Sequence, residues 1–228
     1  MNEPHCVLSS CAIRDILMPD ENRWNKLVER LSGNLPPAGS FSRIIAAYSE
    51  SHRFYHTVSH IEYCLSEFDE VKKLCESPDE VEFAIWLHDV VYDPHSSDNE
   101  EMSARLAREI LSDSGCPELK AKKVRELILI TRHDKTPSST DDQLIVDIDL
   151  SILGQPPGIF DTYEKSIRAE YSWVPEDAYR IGRSKILQGF LDKPSIYNTD
   201  RFEKLYGNQA RENIMKSLEA LAYRVTES

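Results

Sequence analysis

Apolar residues recur along this chain at spacings of three and four, the period of helices with one buried face. Val81, Ala84, Ile85 and His88 follow the i, i+3, i+4, i+7 rule, so His88 is expected to face the core, with Asp89 directly after it. Trp24, Leu27, Val28 and Leu31 mark a helix over 22–31. Ile44, Ile45 and Tyr48 mark another, for which Ser40 is the expected N-cap. Ile61, Cys64, Leu65 and Phe68 mark a third over 57–73. Ser77-Pro78-Asp79-Glu80, Ser97-Asp98-Asn99-Glu100 and Thr140-Asp141-Asp142-Gln143 read as capping boxes, each opening a helix. Pro117 starts one more, through Val124, Leu127, Ile128 and Thr131 to His133, and further helices follow at 159–171, 175–190 and 200–224. Little reads as strand. Residues 1–20 show no clear pattern, and Gly154-Gln155-Pro156-Pro157-Gly158 is short enough to be a loop within one domain. The expected fold is all-α, a single helical domain over 1–228.

Composition narrows the function without naming it. The 228 residues are 40% hydrophobic and 29% charged, which suits one sizeable core. A formal charge of −12 argues against a nucleic-acid polymer or an anionic membrane as partner, since both need a basic surface. It leaves room for a small phosphorylated molecule at a locally cationic site. Cys6, Cys11, Cys64, Cys75 and Cys116 are odd in number and irregular in spacing, as in a reduced, cytoplasmic protein. The run from Cys6 to Ile13 is short and partly polar, with no basic segment before it, so no signal peptide is expected.

The candidate chemistry lies in histidines and aspartates. An imidazole and a carboxylate at the inner end of an apolar helix need a partner, because an unpaired buried charge is costly. A metal ion is one such partner; a hydrogen-bonded network is another. The chain offers His56 and His60, then His88 and Asp89, then His133, then Asp147 and Asp149. His56 and His60 are i, i+4 and share a helix face if the helix begins early enough. Such nitrogen–oxygen donors suit Mn²⁺, Fe²⁺, Zn²⁺, Co²⁺ or Mg²⁺, and an ion of this kind can acidify water and polarise a phosphoryl oxygen. Arg53, Arg168 and Arg183, with Lys135, are the cations expected near an anionic substrate, because an acidic protein must offset its own field there.

Taken together, these segments resemble the HD-domain metal-dependent phosphohydrolase superfamily, whose metal sits among a first His, an adjacent His-Asp pair and a distant Asp. The resemblance is closer to a bacterial branch of predicted HD phosphohydrolases. It is carried by Arg53-Phe54-Tyr55-His56 with His60-Ile61, by His88 to Pro94, by Asp98-Asn99-Glu100 with Ser103-Ala104, by Asp147 to Leu150, by Ile167-Arg168 with Glu170-Tyr171, and by Ala210-Arg211 with Asn213. It implies an all-helical HD-type domain with the metal in the bundle core. The implied ligands are His60, His88, Asp89 and Asp149, with Asp147 as the alternative to Asp149. Tyr55-His56 to His60 also resembles the corresponding motif of class I cyclic-nucleotide phosphodiesterases, which implies His56 as general acid. His133 would serve as a further metal ligand, assist the leaving group or bind phosphate, and Asp89 would count among the catalytic groups as well as the ligands. The implied activity is hydrolysis of a phosphomonoester or phosphodiester, foremost of a nucleotide. HD-fold di-iron oxygenases and non-catalytic, metal-containing nucleotide-binding regulatory proteins are the alternatives.

Overall fold

In the computed structural model, the structure describes residues 20–223. The segment 1–20, with Cys6 and Cys11, lies outside them except for Asp20. Helices α1 (Glu21–Ser32), α2 (Ser40–Tyr48), α3 (Val58–Val71), α4 (Pro78–Leu87), α5 (Asn99–Asp113), α6 (Glu118–Ile130) and α7 (Thr140–Leu150) come first. A 3-10 turn (Ser151–Gly154) leads to α8 (Pro157–Glu170) and α9 (Glu176–Leu191). The short α10 (Asp200–Phe202) passes through a π turn (Glu203–Gly207) into α11 (Asn208–Tyr223). Among the described residues there is no strand, and no helix is long and apolar enough to cross a membrane.

The axis of the fold is α4. Every residue from Val81 to Leu87 is buried, because α1, α3, α5, α6 and α7 all pack against this one helix. A helix so enclosed is apolar on most sides, and its buried acid needs partners. Glu82 has them: Arg23 Nε at 2.6 Å and Arg30 Nη2 at 3.1 Å. Trp24 stacks on Phe83 with ring centroids 5.1 Å apart, and its indole N–H donates to Ser40 Oγ at 3.1 Å.

Helix starts differ in detail from the sequence reading. Ser139, not Thr140, caps α7: its hydroxyl accepts from Asp142 N at 3.1 Å, while Asp142 Oδ2 accepts from Ser139 N at 3.1 Å. This shift by one residue frees Asp141 to turn inward and accept from Glu76 N at 2.8 Å. Ser77 and Asp98 make no side-chain cap bond. Ser40 is the first residue of α2 rather than its cap, a place taken by Gly39 in the left-handed conformation, φ 79°.

The second half folds back onto α7 through the 3-10 turn, against which α8 and α11 pack. One apolar core includes residues from Trp24 to Ile214, so the Gly154–Gly158 stretch is a joint within one domain. Gly154 is required there by close approach. A Cβ on it would sit 2.4 Å from Tyr206 Cβ and 2.7 Å from the Tyr206 carbonyl oxygen. Gly154→Ala is therefore expected to lower unfolding free energy by about 1–3 kcal/mol, as overpacking against backbone does. Urea denaturation of the two proteins measures it.

Candidate metal centre

Three elements deliver the centre. His60 lies in the first turns of α3, His88 follows the last residue of α4, Asp89 comes next in the turn, and Asp149 is near the end of α7. Consecutive residues of a continuing helix point about 100° apart, so the end of α4 at Leu87 is what lets His88 and Asp89 face one place. His88 Nε2 lies 3.1 Å from His60 Nε2 and 3.1 Å from Asp89 Oδ2. His60 Nε2 lies 3.5 Å from Asp89 Oδ2 and 3.4 Å from Asp149 Oδ1, and His88 Nε2 lies 3.6 Å from Asp149 Oδ1. Donor atoms about 2.0–2.2 Å from one ion stand apart from each other by distances of this order.

The protonation pattern fits a cation at the centre. His88 Nδ1 lies 2.9 Å from the Ile85 carbonyl oxygen, so this nitrogen carries a proton and a neutral ring turns the Nε2 lone pair to the cluster. Burial works to lower the pKa of His88 and to raise those of Asp89 and Asp149, yet the mutual attraction wins in each case. His88 is held well above the usual imidazole range by Asp89 and Asp149. Asp89 is held well below the usual carboxylate range by His88, His56 and His60. Asp149 is likewise held low by His133, His60 and His88. Two half-buried carboxylates beside the same imidazoles favour positive charge between them, which protons or a metal ion can supply.

The thiol of Cys64 also borders the centre. Its Sγ lies 3.8 Å from both ring nitrogens of His60, and donor atoms of His60, Cys64, His88 and Asp149 all lie within 4.8 Å of one another. This cluster could hold a metal ion. Asp89 is not among those four, but its Oδ2 stands within 3.5 Å of both imidazole nitrogens. The sequence treats Cys64 as a packed core thiol, and its burial agrees.

Asp147 is turned away from the cluster. Two residues along a helix is roughly 200° of rotation, and Asp147 instead accepts from Asn198 N at 2.7 Å and Thr199 N at 2.8 Å, with both side chains adding bonds. It pins the segment before α10 onto α7. Asp149 is the member of the pair that meets the histidines.

His56 does not share a helical face with His60, because α3 begins only at Val58. It sits in the irregular turn before the helix, and Glu170 builds that turn. One buried carboxylate oxygen, Oε1, accepts from the backbone N–H groups of Phe54, Tyr55 and His56 at 2.8, 2.7 and 3.0 Å. The other, Oε2, meets His56 Nδ1 at 2.7 Å and accepts from Tyr92 Oη at 2.9 Å. His56 Nε2 is thereby directed toward the centre, 4.0 Å from Asp89 Oδ2. In sequence Glu170 is singled out only as part of the Ile167-Arg168 with Glu170-Tyr171 segment; nothing local signals a bond to a residue 114 positions away.

His133 Nε2 lies 3.0 Å from Asp149 Oδ2. Its φ of 58° is a left-handed conformation, unusual for a residue with a Cβ and here adopted at the turn after α6. The strain places the imidazole on the outer oxygen of Asp149.

Of the four cations expected around a substrate, one lines the adjoining cavity. Arg53 is buried behind the centre, donating to the carbonyl oxygens of His56, Asp89 and Val90 at 3.1, 2.7 and 3.0 Å and to Glu50 Oε2 at 3.0 Å. It clamps the His88–Asp89 turn, with four of its five N–H groups engaged in these bonds. Arg168 closes the end of α8 through the Tyr171 and Val174 carbonyls at 2.6 and 3.2 Å. Lys135 is exposed and lies apart from the cavity lining. Arg183 does line the cavity, paired with Glu164 and with Tyr163 Oη at 3.0 Å. The cavity holds about 400 Å³ and opens onto His56, His133 and Asp149.

Comparison of the chain with protein-family models, with curated proteins and with solved structures gave no match. The centre is therefore defined by its own geometry, as a buried imidazole–carboxylate cluster able to hold a metal ion.

Two outcomes follow from this geometry. Adding Mn²⁺ or Zn²⁺ should raise the melting temperature of the wild-type protein, since ligands that bind only the folded state stabilise it, by about 2.7 kcal/mol at a hundredfold excess over Kd. Asp149→Ala should lose most of that rise in a calorimetric scan. For Glu170, burial acts to raise the carboxyl, but His56 and the backbone donors bring it from 4.5 down to about 2. A carboxylate depressed in the folded state contributes stability above its unfolded pKa and loses it as pH falls toward the folded value. The stability gap between wild type and Glu170→Gln should be constant above about pH 5 and narrow as pH falls from 4.5 toward about 2. Urea midpoints at a series of pH values read this directly.

Proposed function

We propose that this chain is a metal-dependent phosphohydrolase of the HD-domain kind, acting on a small phosphorylated molecule such as a nucleotide. The observation that carries the reading is the convergence of His60, His88, Asp89 and Asp149 beside a cavity of about 400 Å³. These four residues would hold a divalent ion, with Mn²⁺, Fe²⁺, Zn²⁺, Co²⁺ and Mg²⁺ as candidates. When bound, such an ion supplies Lewis acidity toward a phosphoryl oxygen and toward water.

The remaining chemistry belongs to the protein's own groups. Glu170 accepts from the Nδ1–H of His56, so His56 exchanges its other proton at Nε2, on the side facing the centre. That is the arrangement of a general acid able to protonate a leaving oxygen. His133, bonded to Asp149 and bordering the cavity, orients the carboxylate from outside. Because the cluster borders a cavity, its setting favours chemistry over a closed structural metal site.

Phosphate release from a panel of nucleotides and sugar phosphates, with added Mn²⁺, is the test. Release should vanish with chelator and in Asp89→Ala, which should also lose bound metal. His56→Ala should keep the metal and lower kcat by roughly 10²–10⁴-fold, the usual contribution of a positioned acid. Release that survives both chelation and Asp89→Ala would sink the proposal. Iron near two per chain with oxygen uptake would move the assignment to an oxygenase.

A further inference from the structure

The cavity beside the centre has two unlike ends. The inner end is polar, with His56, His133 and Asp149. Beyond it the walls are apolar and aromatic: Tyr163, Ile167, Tyr179, Ile186 and Phe190 among them. These come from α8 and α9, the helices folded back over α7. Among the described residues the cation in the wall is Arg183, already neutralised by Glu164 and bonded to Tyr163 Oη. Arg53 and Arg168 donate to backbone carbonyls elsewhere, and Lys135 lies apart. In a chain of net charge −12, no free positive charge from these residues meets a second or third phosphate along the walls.

We propose that this cavity binds the organic part of the substrate, and that this part is a flat aromatic body carrying its charge at one end only, as in an aryl phosphomonoester. The proposal rests on the phosphohydrolase reading for the charged end and on the cavity walls for the rest. Aromatic side chains accept a flat ring by stacking or edge contact and gain from the apolar area it removes from water. The single phosphoryl group is then placed at the inner end, where His56 and the four candidate ligands stand. Extended polyphosphates would have to run their negative charge along an apolar wall without compensation.

Gly182 makes the proposal testable. It lines the cavity in mid-helix on α9, with ordinary helical backbone, and a Cβ there meets nothing within 4 Å. Gly182→Leu therefore fills cavity space without a clash at the point of attachment. The experiment compares 1-naphthyl phosphate with methyl phosphate on the full chain loaded with Mn²⁺. The readout is the ratio of their kcat/KM values, so that the intrinsic reactivity of each ester cancels between wild type and variant. Gly182→Leu is expected to lower the naphthyl-over-methyl ratio at least tenfold. Ile186→Glu, at an exposed position on the cavity lining, is expected to lower it in the same direction and serves if the first variant fails to fold. Metal content and melting temperature check folding in each. A ratio unchanged in folded, metal-loaded variants overturns the proposal. If neither ester releases phosphate, the hydrolase reading is decided by the nucleotide and sugar phosphate panel alone. The cavity is then judged by calorimetric binding of 1-naphthyl phosphate: at least tenfold weaker binding to Gly182→Leu supports it, and equal binding overturns it.

Discussion

Two half-buried carboxylates, Asp89 and Asp149, face the same pair of buried imidazoles at the edge of a helical core. Neither acid could remain ionised there alone, since desolvation favours the neutral form. Each is nevertheless held well below its usual range, because His88, His60 and, for Asp149, His133 answer the charge. The surrounding architecture serves this balance. Enclosure of α4 by five helices supplies the low-dielectric setting, and the end of α4 at Leu87 turns Asp89 back beside His88. The fold thus gathers negative charge where a cation is the natural counterpart, a more specific arrangement than burial of a polar pair by chance.

The loops that carry the centre are fixed by other buried charges, each satisfied mainly by backbone. Arg53 donates to three carbonyl oxygens in the turns around His56 and Asp89. Glu170 accepts from three consecutive backbone N–H groups before α3. Asp147 receives the backbone ahead of α10. Irregular backbone in a core leaves donors and acceptors that no helix can satisfy, and charged side chains meet several of them at once. Loss of any of the three would leave orphaned backbone groups as well as a vacant side-chain position. Their effect on the centre comes through placement of His56, Asp89 and α7 rather than through contact with a substrate.

Much of the helical fold was legible because burial imposes a period. The Val81–His88 stripe, the Trp24–Leu31 stripe and the apolar positions of α3 all appear in the structure near their expected ends. The choice of Asp149 over Asp147 was legible only as a local pattern, and helix rotation decides it in space. The roles of Arg53 and Glu170 were not legible. A long charged side chain in sequence carries no mark of whether it will face solvent, a phosphate or a carbonyl, and Glu170 meets its partners across more than a hundred residues. His56 failed as an i, i+4 partner of His60 for a related reason: the start of α3 is set by the turn that Glu170 holds, which lies outside any local pattern. With Ser139 rather than Thr140 as the cap, Asp141 turns inward to the Glu76 amide, again a contact between distant segments.

The two halves of the molecule divide the recognition problem. Ligand atoms come from α3, from the end of α4 and from α7, all in the first half. The cavity wall comes largely from α8 and α9, in the second. Glu170, at the end of α8, crosses between them, tying the turn that bears His56 to the helix whose side chains line the cavity. A change in the position of α8 therefore reaches the acid–base candidate through one carboxylate, while the ligand set rests on α4 and α7 beneath. The candidate ligand cluster and the cavity wall are carried by separate elements, with Glu170 as a strong polar link between them. This separation allows the cavity wall to vary without rebuilding the buried charge balance on which the centre depends.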